Sequence, residues 1–145
     1  MINYVLMNED HVAEIAEIEK ICFFDPWSVN SISSELGNPL SLWLVAEEDG
    51  VVAGYVGSQT VLGGADMMNL AVLPQYRKQG IGEALVVRLM EALRTKGAIS
   101  LSLEVRQSNL PAISLYKKLG FVQIGLRPNY YRNPKENALI LRKEW

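Results

Sequence analysis

The chain has 145 residues, 49% of them apolar, and a net charge of −2. That is the size of one domain with a sizeable core, and it offers no basic surface to argue for DNA or RNA binding. The single cysteine, Cys22, excludes an internal disulfide and a cysteine-built metal cluster and suits a reducing compartment. No apolar run approaches a membrane span and Met1–Asp10 lacks a signal-peptide layout, so the expected location is the cytoplasm.

Along the chain, Ile2–Met7 reads as a first strand. Asn8 or Asp10 caps a helix through Cys22, with Val12, Ile15, Ile18 and Ile21 or Cys22 at helical spacing. Phe23–Trp27 interrupts it, and Ser28 caps a short helix ending near Gly37. Leu40–Glu47 and Val51–Leu62 are strand-like and joined by Glu48-Asp49-Gly50, a hairpin signal, and Met67–Leu73 is the next β segment. Ile81–Lys96 carries Ile81, Leu85, Leu89 and Leu93 at helical spacing, and Gly97 follows as a stop. Ile99–Val105 alternates apolar and polar residues as a half-buried strand does. Asn109 then caps a helix with Pro111 in its first turn and Gly120 past its end. Phe121–Leu126 and Ala138–Leu141 are the last two strands. The order β-α-α-β-β-β-α-β-α-β-β predicts one mixed α/β domain over residues 1–145, a central sheet covered by helices. His11, far from every motif and without a nucleophile partner, reads as structural or exposed.

The segment between Val72 and Val86 is the most informative. A strand end and Pro74 lead into Arg77-Lys78-Gln79-Gly80-Ile81-Gly82 and then a long helix. Gly80 and Gly82 lack a Cβ where backbone N–H groups converge, and the helix dipole favours an anion at that point. The loop lacks the Gly-Lys-Ser/Thr ending of a P-loop and is one glycine short of a dinucleotide fingerprint.

Arg77-x-x-Gly80-x-Gly82, preceded by Asn69-Leu70-Ala71-Val72, resembles the acetyl-coenzyme A loop of the GNAT (general N-acetyltransferase) superfamily. The likeness continues in Leu103-Glu104-Val105-Arg106-x-x-Asn109, Ala112-x-x-Leu115-Tyr116-x-x-Leu119-Gly120-Phe121 and Asn129-Tyr130-Tyr131, with Pro26-Trp27-Ser28 upstream. The set is similar to the RimI-type branch, enzymes that acetylate the N-terminal alanine of a small-subunit ribosomal protein. The resemblance implies the GNAT acyl-coenzyme A N-acyltransferase fold, a mixed, mostly antiparallel sheet flanked by helices. It implies acetyl-coenzyme A as co-substrate, with no metal. It further implies a protein N-terminus, that of a ribosomal protein, as acceptor, with no nucleic acid or membrane partner; a monomer is favoured.

Residue by residue, the resemblance implies that the backbone from Lys78 through Gln79, Gly80, Ile81 and Gly82 to Glu83 holds the cofactor pyrophosphate. Leu70, Ala71 and Val72 run beside the pantetheine arm, and the Val72 N–H points at the acetyl carbonyl. Asn109 contacts the cofactor, Glu104 is the general base, and Tyr116 protonates the departing thiolate. Trp27 and Tyr131 wall the acceptor site. The Glu83 carboxylate opposes a phosphate electrostatically, so it is expected to project away from the loop.

On pattern alone, other readings stay open. Leu70–Val72 is also a core strand, Glu104 also a carboxylate paired with Arg106, and Tyr116 also a core aromatic. Trp27 and Tyr131 also suit plain packing. A lysine side chain, a polyamine or another small amine is the alternative acceptor, and an acyl-coenzyme A sensor that does no chemistry is the non-enzyme alternative.

Overall fold

The computed structural model describes residues 1–145. The chain runs β1 (Asn3–Leu6), α1 (Val12–Cys22), α2 (Val29–Leu36), β2 (Ser41–Glu48), β3 (Val51–Val61) and β4 (Gly64–Val72). It continues with α3 (Ile81–Thr95), β5 (Ser100–Arg106), α4 (Leu110–Lys118), β6 (Val122–Tyr131) and β7 (Glu136–Glu144). This is the predicted order, element for element.

Local chemistry sets the boundaries. The Ser28 hydroxyl accepts from Ser31 N at 3.0 Å to open α2. Gly97, at φ 92°, ends α3 while Ala98 N returns to Leu93 O at 3.0 Å. His11 lies in a 3-10 turn before α1, buried rather than exposed. Its Nδ1 accepts from Asn8 N, and its Nε2 lies 3.0 Å from Glu47 Oε2. The largest departure is at β6. The strand continues to Tyr131, where a loop was expected after Leu126. Its pairing with β7 resumes across an irregularity in which Arg127 faces Ala138 and Tyr131 faces Glu136. The aromatic pair Tyr130-Tyr131 is therefore carried on a strand.

The seven strands form one sheet in the order β1-β2-β3-β4-β5-β7-β6, antiparallel everywhere except between β4 and β5. Helices cover both faces. In β2, Leu42, Leu44 and Ala46 face the α3 side, whereas Trp43 and Val45 face α1 and α2. On β5, Leu101, Leu103 and Val105 join the α3–α4 core, so Ser100, Ser102, Glu104 and Arg106 point the other way. Tyr116 and Phe121 join the α3–α4 core as well.

One irregularity shapes the middle of the sheet. The β3–β4 register passes from Gly57 opposite Asn69 to Ser58 opposite Met67, leaving Met68 as an extra residue in β4. Such a bulge bends its strand and increases twist. Beyond it, β4 turns away from β5.

The core tolerates no side chain at Gly57. A Cβ there would lie 2.3 Å from Trp43 Cε2. That indole is held by Tyr55 stacked at 5.8 Å and by Trp27 edge-on at 5.5 Å. Gly57→Ala should therefore cost about 1–3 kcal/mol of unfolding free energy by overpacking. Urea denaturation measures it, and an unchanged midpoint would contradict the packing described.

Candidate active site

β4 and β5 pair only through Gly64–Asp66 with Ser100–Ser102. Past that point β4 runs on to Val72 and β5 to Arg106 with no ladder between them. The result is a gap in the middle of the sheet, lined by backbone. Leu73 N donates to Ala53 O at 2.9 Å, so by antiparallel alternation the Ala71 backbone also faces β3. Leu70 and Val72 then turn their backbone toward the gap, while their side chains pack on the α3 core. Ala71 flanks the gap without facing it, its methyl buried on the α1–α2 side. Val72 O is taken by Arg77 Nε at 2.9 Å, which leaves the Val72 N–H for a ligand.

The start of α3 stands at the open end of this gap, with Val72 Cγ2 3.9 Å from the Cβ position of Gly82. Gly80 is the helix N-cap in a left-handed conformation, φ 78°, and provides no side-chain cap. Lys78 is left-handed as well, at φ 64°. The first helical bond is Ala84 N to Gly80 O at 3.0 Å, and the N–H groups of Gly80, Ile81, Gly82 and Glu83 find no acceptor in the protein. Four convergent donors at the positive end of a helix dipole form an anion cradle. The Ile81 side chain is buried in the core, so that residue offers only its backbone. Nothing within the protein requires glycine at 82, since a Cβ there meets Val72 alone. Glu83 is directed to α4, where its Oε1 pairs with Lys118 Nζ at 2.7 Å. Arg77 spends its guanidinium on Val72 O and on Cys22 Sγ at 3.6 Å, tying the strand end to α1.

Side chains reach the gap from both faces. From the α3–α4 side comes Tyr116, 6% exposed, edge-on to Phe121 at 5.6 Å, with its hydroxyl 3.9 Å from Met67 Sδ on β4. Burial, with a smaller contribution from the nearby Tyr131, pushes its pKa up to about 12, so the phenol remains protonated at neutral pH. Asn109 caps α4, its Oδ1 accepting from Ala112 N at 3.3 Å, and its amide NH2 is left to donate outward.

From the other face come Glu104 and Tyr131. Glu104 Oε2 is buried without a hydrogen bond of good geometry, and the nearest cation is Arg127 Nε at 3.3 Å. The alternative reading of Glu104 as a salt-bridged carboxylate holds in part, with Arg127 rather than Arg106 as the cation. Arg106 instead pairs with Glu136 at 3.2 Å, donates to Arg132 O and Pro134 O, and stacks over the Tyr131 ring at 4.4 Å. Ala138 explains the exchange: it faces Arg106 on one side and Arg127 on the other, and its small side chain lets Arg127 reach across β7. Burial first, and then the negative charge of Glu104, push Tyr131 up to about 12. Trp27 is half-buried, edge-on to Trp43 with its backbone N–H bound to Glu19 Oε1 at 2.9 Å.

An open strand edge, an anion cradle at its end, a carboxylate on one side and a neutral phenol on the other suit acyl transfer from a phosphate-bearing carrier. Residues 12–121 match the model of the Acetyltransferase (GNAT) family. The chain belongs to that family.

The chain is 39% identical over 129 residues to a ribosomal protein bS18-alanine N-acetyltransferase of Haemophilus influenzae, with 86% of each chain covered. It is 38% identical over 126 residues to the enzyme of that description from Escherichia coli, covering 86% of this chain and 84% of that one. The crystal structure of the Escherichia coli ribosomal-protein-S18-alanine N-acetyltransferase superposes with a TM-score of 0.91 at 33% identity, covering 99% of this chain and 94% of the other.

GNAT proteins use acetyl-coenzyme A, and the donors orphaned at the start of α3 fit its pyrophosphate. Three residues around the gap were missed from the sequence alone. Arg127 and Lys118 gave no local signal, because their partners are distant in sequence. Glu19 did give one: it falls four residues after Ile15, a carboxylate on the apolar stripe of α1.

Gly82→Val should fold normally yet raise the coenzyme A dissociation constant roughly tenfold or more, since a branched side chain would keep phosphate from the donors. Calorimetry on the folded variant decides it, and wild-type affinity would contradict the cradle.

Proposed function

We infer that the chain transfers the acetyl group of acetyl-coenzyme A to the α-amine of the N-terminal alanine of ribosomal protein bS18. The observation that carries this reading is the β4–β5 gap: it brings Glu104 and Tyr131 from one face toward Tyr116 from the other. The 38–39% identity to bS18-alanine acetyltransferases over most of both chains supports the choice of acceptor.

The residues divide the work by face. Gly80–Glu83 hold the pyrophosphate through backbone N–H groups, and the backbone of Leu70 pairs with an amide of the pantetheine arm much as a neighbouring strand would, Val72 running beside the arm. Asn109 donates to that arm from the opposite side. The Val72 N–H receives the carbonyl oxygen as it gains negative charge, a preorganised contact worth ~3 kcal/mol to the transition state. Glu104 accepts a proton from the incoming ammonium, directly or through one water. The freed amine attacks the thioester carbon, forming the C–N bond as the C–S bond breaks. Tyr116 then gives its proton to the departing thiolate and is reprotonated, through solvent, by the second proton that the new amide nitrogen must lose; burial is what keeps the phenol protonated between turnovers. Trp27 and Tyr131 wall the acceptor side.

An unperturbed α-amine titrates near ~8 and a lysine near ~10.4, so the N-terminal acceptor needs less help from Glu104 at neutral pH. A pocket that fits one methyl group separates alanine from serine or glycine by only ~1–3 kcal/mol, so preference rather than exclusivity is expected at the first position.

Glu104→Gln should lower kcat by ~100-fold or more at neutral pH with cofactor affinity retained. The deficit should narrow as pH rises, because more of the amine is already neutral; full activity at pH 7 would remove Glu104 from the mechanism.

The acceptor itself is decided with three peptides of one sequence: free N-terminal alanine, blocked N-terminus with an internal lysine, and free N-terminus with the lysine replaced. Acetyl transfer should follow the free terminus. Transfer that follows the lysine regardless of the block overturns the reading.

A further inference from the structure

Glu19 is a buried carboxylate with no part in the acyl-transfer chemistry. It is 1% exposed and sits where four elements meet. Its Oε1 accepts from the backbone N–H of Trp27, in the turn between α1 and α2, at 2.9 Å. Its Oε2 accepts from the Tyr55 hydroxyl of β3 and from Asn69 Nδ2 of β4, the latter at 2.8 Å. No cation is among its partners. Burial raises its pKa, against the lowering effect of the Trp27 and Asn69 hydrogen bonds.

A charge in such a place is costly, and a stable core does not need it, because apolar replacements of buried ionic groups are often neutral or stabilising. What a carboxylate does better than any other side chain is accept several donors at once. An amide offers one oxygen, and its NH2 would be turned either on the Trp27 N–H or on the Tyr55 and Asn69 donors.

The three donors mark the two halves of the site. Asn69 follows the Met68 bulge and immediately precedes Leu70, where the strand begins to face the gap. The Trp27 turn lies opposite the β6–β7 end, for its neighbour Asp25 pairs with Arg132, just after Tyr131, at 3.5 Å. Tyr55 stacks on Trp43, on which the Trp27 ring rests.

We propose that Glu19 is a positioning residue for the acceptor: it locks the Asp25–Ser28 turn to the strand that carries the thioester. This rests on the inferred transfer to a peptide α-amine. The substrate it serves is the peptide amine, because the cofactor cradle at Gly80–Glu83 makes no contact with it.

Glu19→Gln tests the proposal. The KM for a peptide with a free N-terminal alanine should rise roughly tenfold, the weight of one hydrogen bond to a charged group. The coenzyme A dissociation constant should stay within about twofold, because the Gly80–Glu83 donors that hold its pyrophosphate are untouched by the change. A merely structural role would lower the melting temperature and the active fraction and leave the KM of the folded enzyme alone, and that result overturns the proposal, as does an equal loss of cofactor affinity. Should Glu19→Gln not fold, Tyr55→Phe keeps the ring stack and removes one donor; a KM rise of about threefold supports the lock, and an unchanged KM refutes it.

Wild-type turnover of the same peptide separates the two inferences. A silent wild type counts against the acceptor, whereas an active wild type with unchanged KM in the variants counts against Glu19 alone. Hydrogen exchange at the Trp27 amide needs no acceptor. It should quicken at least about tenfold in Glu19→Gln relative to wild type, and equal protection in the two proteins overturns the lock.

Discussion

The unmade ladder between β4 and β5 is the constraint on which the rest depends. A strand buried in mid-sheet normally satisfies its backbone on both edges, because each unpaired polar group carries a desolvation cost. Here two neighbouring strands pair over three residues each and then separate. The ladder stops at Asp66 and Ser102, and the bulge at Met68 bends β4 just beyond that point. The backbone groups left unpaired along β4 are the kind that an extended, amide-bearing ligand can satisfy.

That one break also sets the division of labour. Because the gap passes through the sheet, a residue on the helix side and residues on the far side reach the same space, although they belong to different packing layers. Tyr116 comes with the core, and its burial protects its proton. Glu104 comes from the half-exposed face, where Arg127 is its neighbour. A carboxylate and a buried, protonated phenol thus stand in unlike environments on opposite faces of the sheet.

Much of this was legible in the sequence. Apolar period and glycine placement located all seven strands and all four helices; the Gly80/Gly82 loop alone reads equally as an ordinary strand-to-helix turn, and only the motifs around it pointed to an anion site. The bulge left a trace too: Ala65 and Met67 face α3, as do Leu70 and Val72, so the alternation slips by one residue at Met68. What could not be read is lateral. Arg106 sits two residues from Glu104 and looked like its partner, but the true neighbour comes from β6, over the small Ala138, and sequence distance carries no record of that crossing. The extension of β6 to Tyr131 was hidden because the apolar pattern stops at Leu126, while the strand absorbs Pro128 and Asn129 as an irregularity. Glu19 shows the same limit from another direction, since its place on the apolar stripe was visible and its three donors were not.

The uncapped start of α3 has a consequence for the protein's thermodynamics. A helix beginning with a left-handed glycine and four unsatisfied N–H groups lacks the side-chain oxygen that ordinarily closes its first turn. An anion seated there takes over the work of an N-cap, so ordering of the first turn and occupancy of the cradle become a single linked equilibrium. The folded state then gains RT ln(1 + [L]/Kd) from any such ligand, and resistance to heat becomes a readout of how much coenzyme A surrounds the protein.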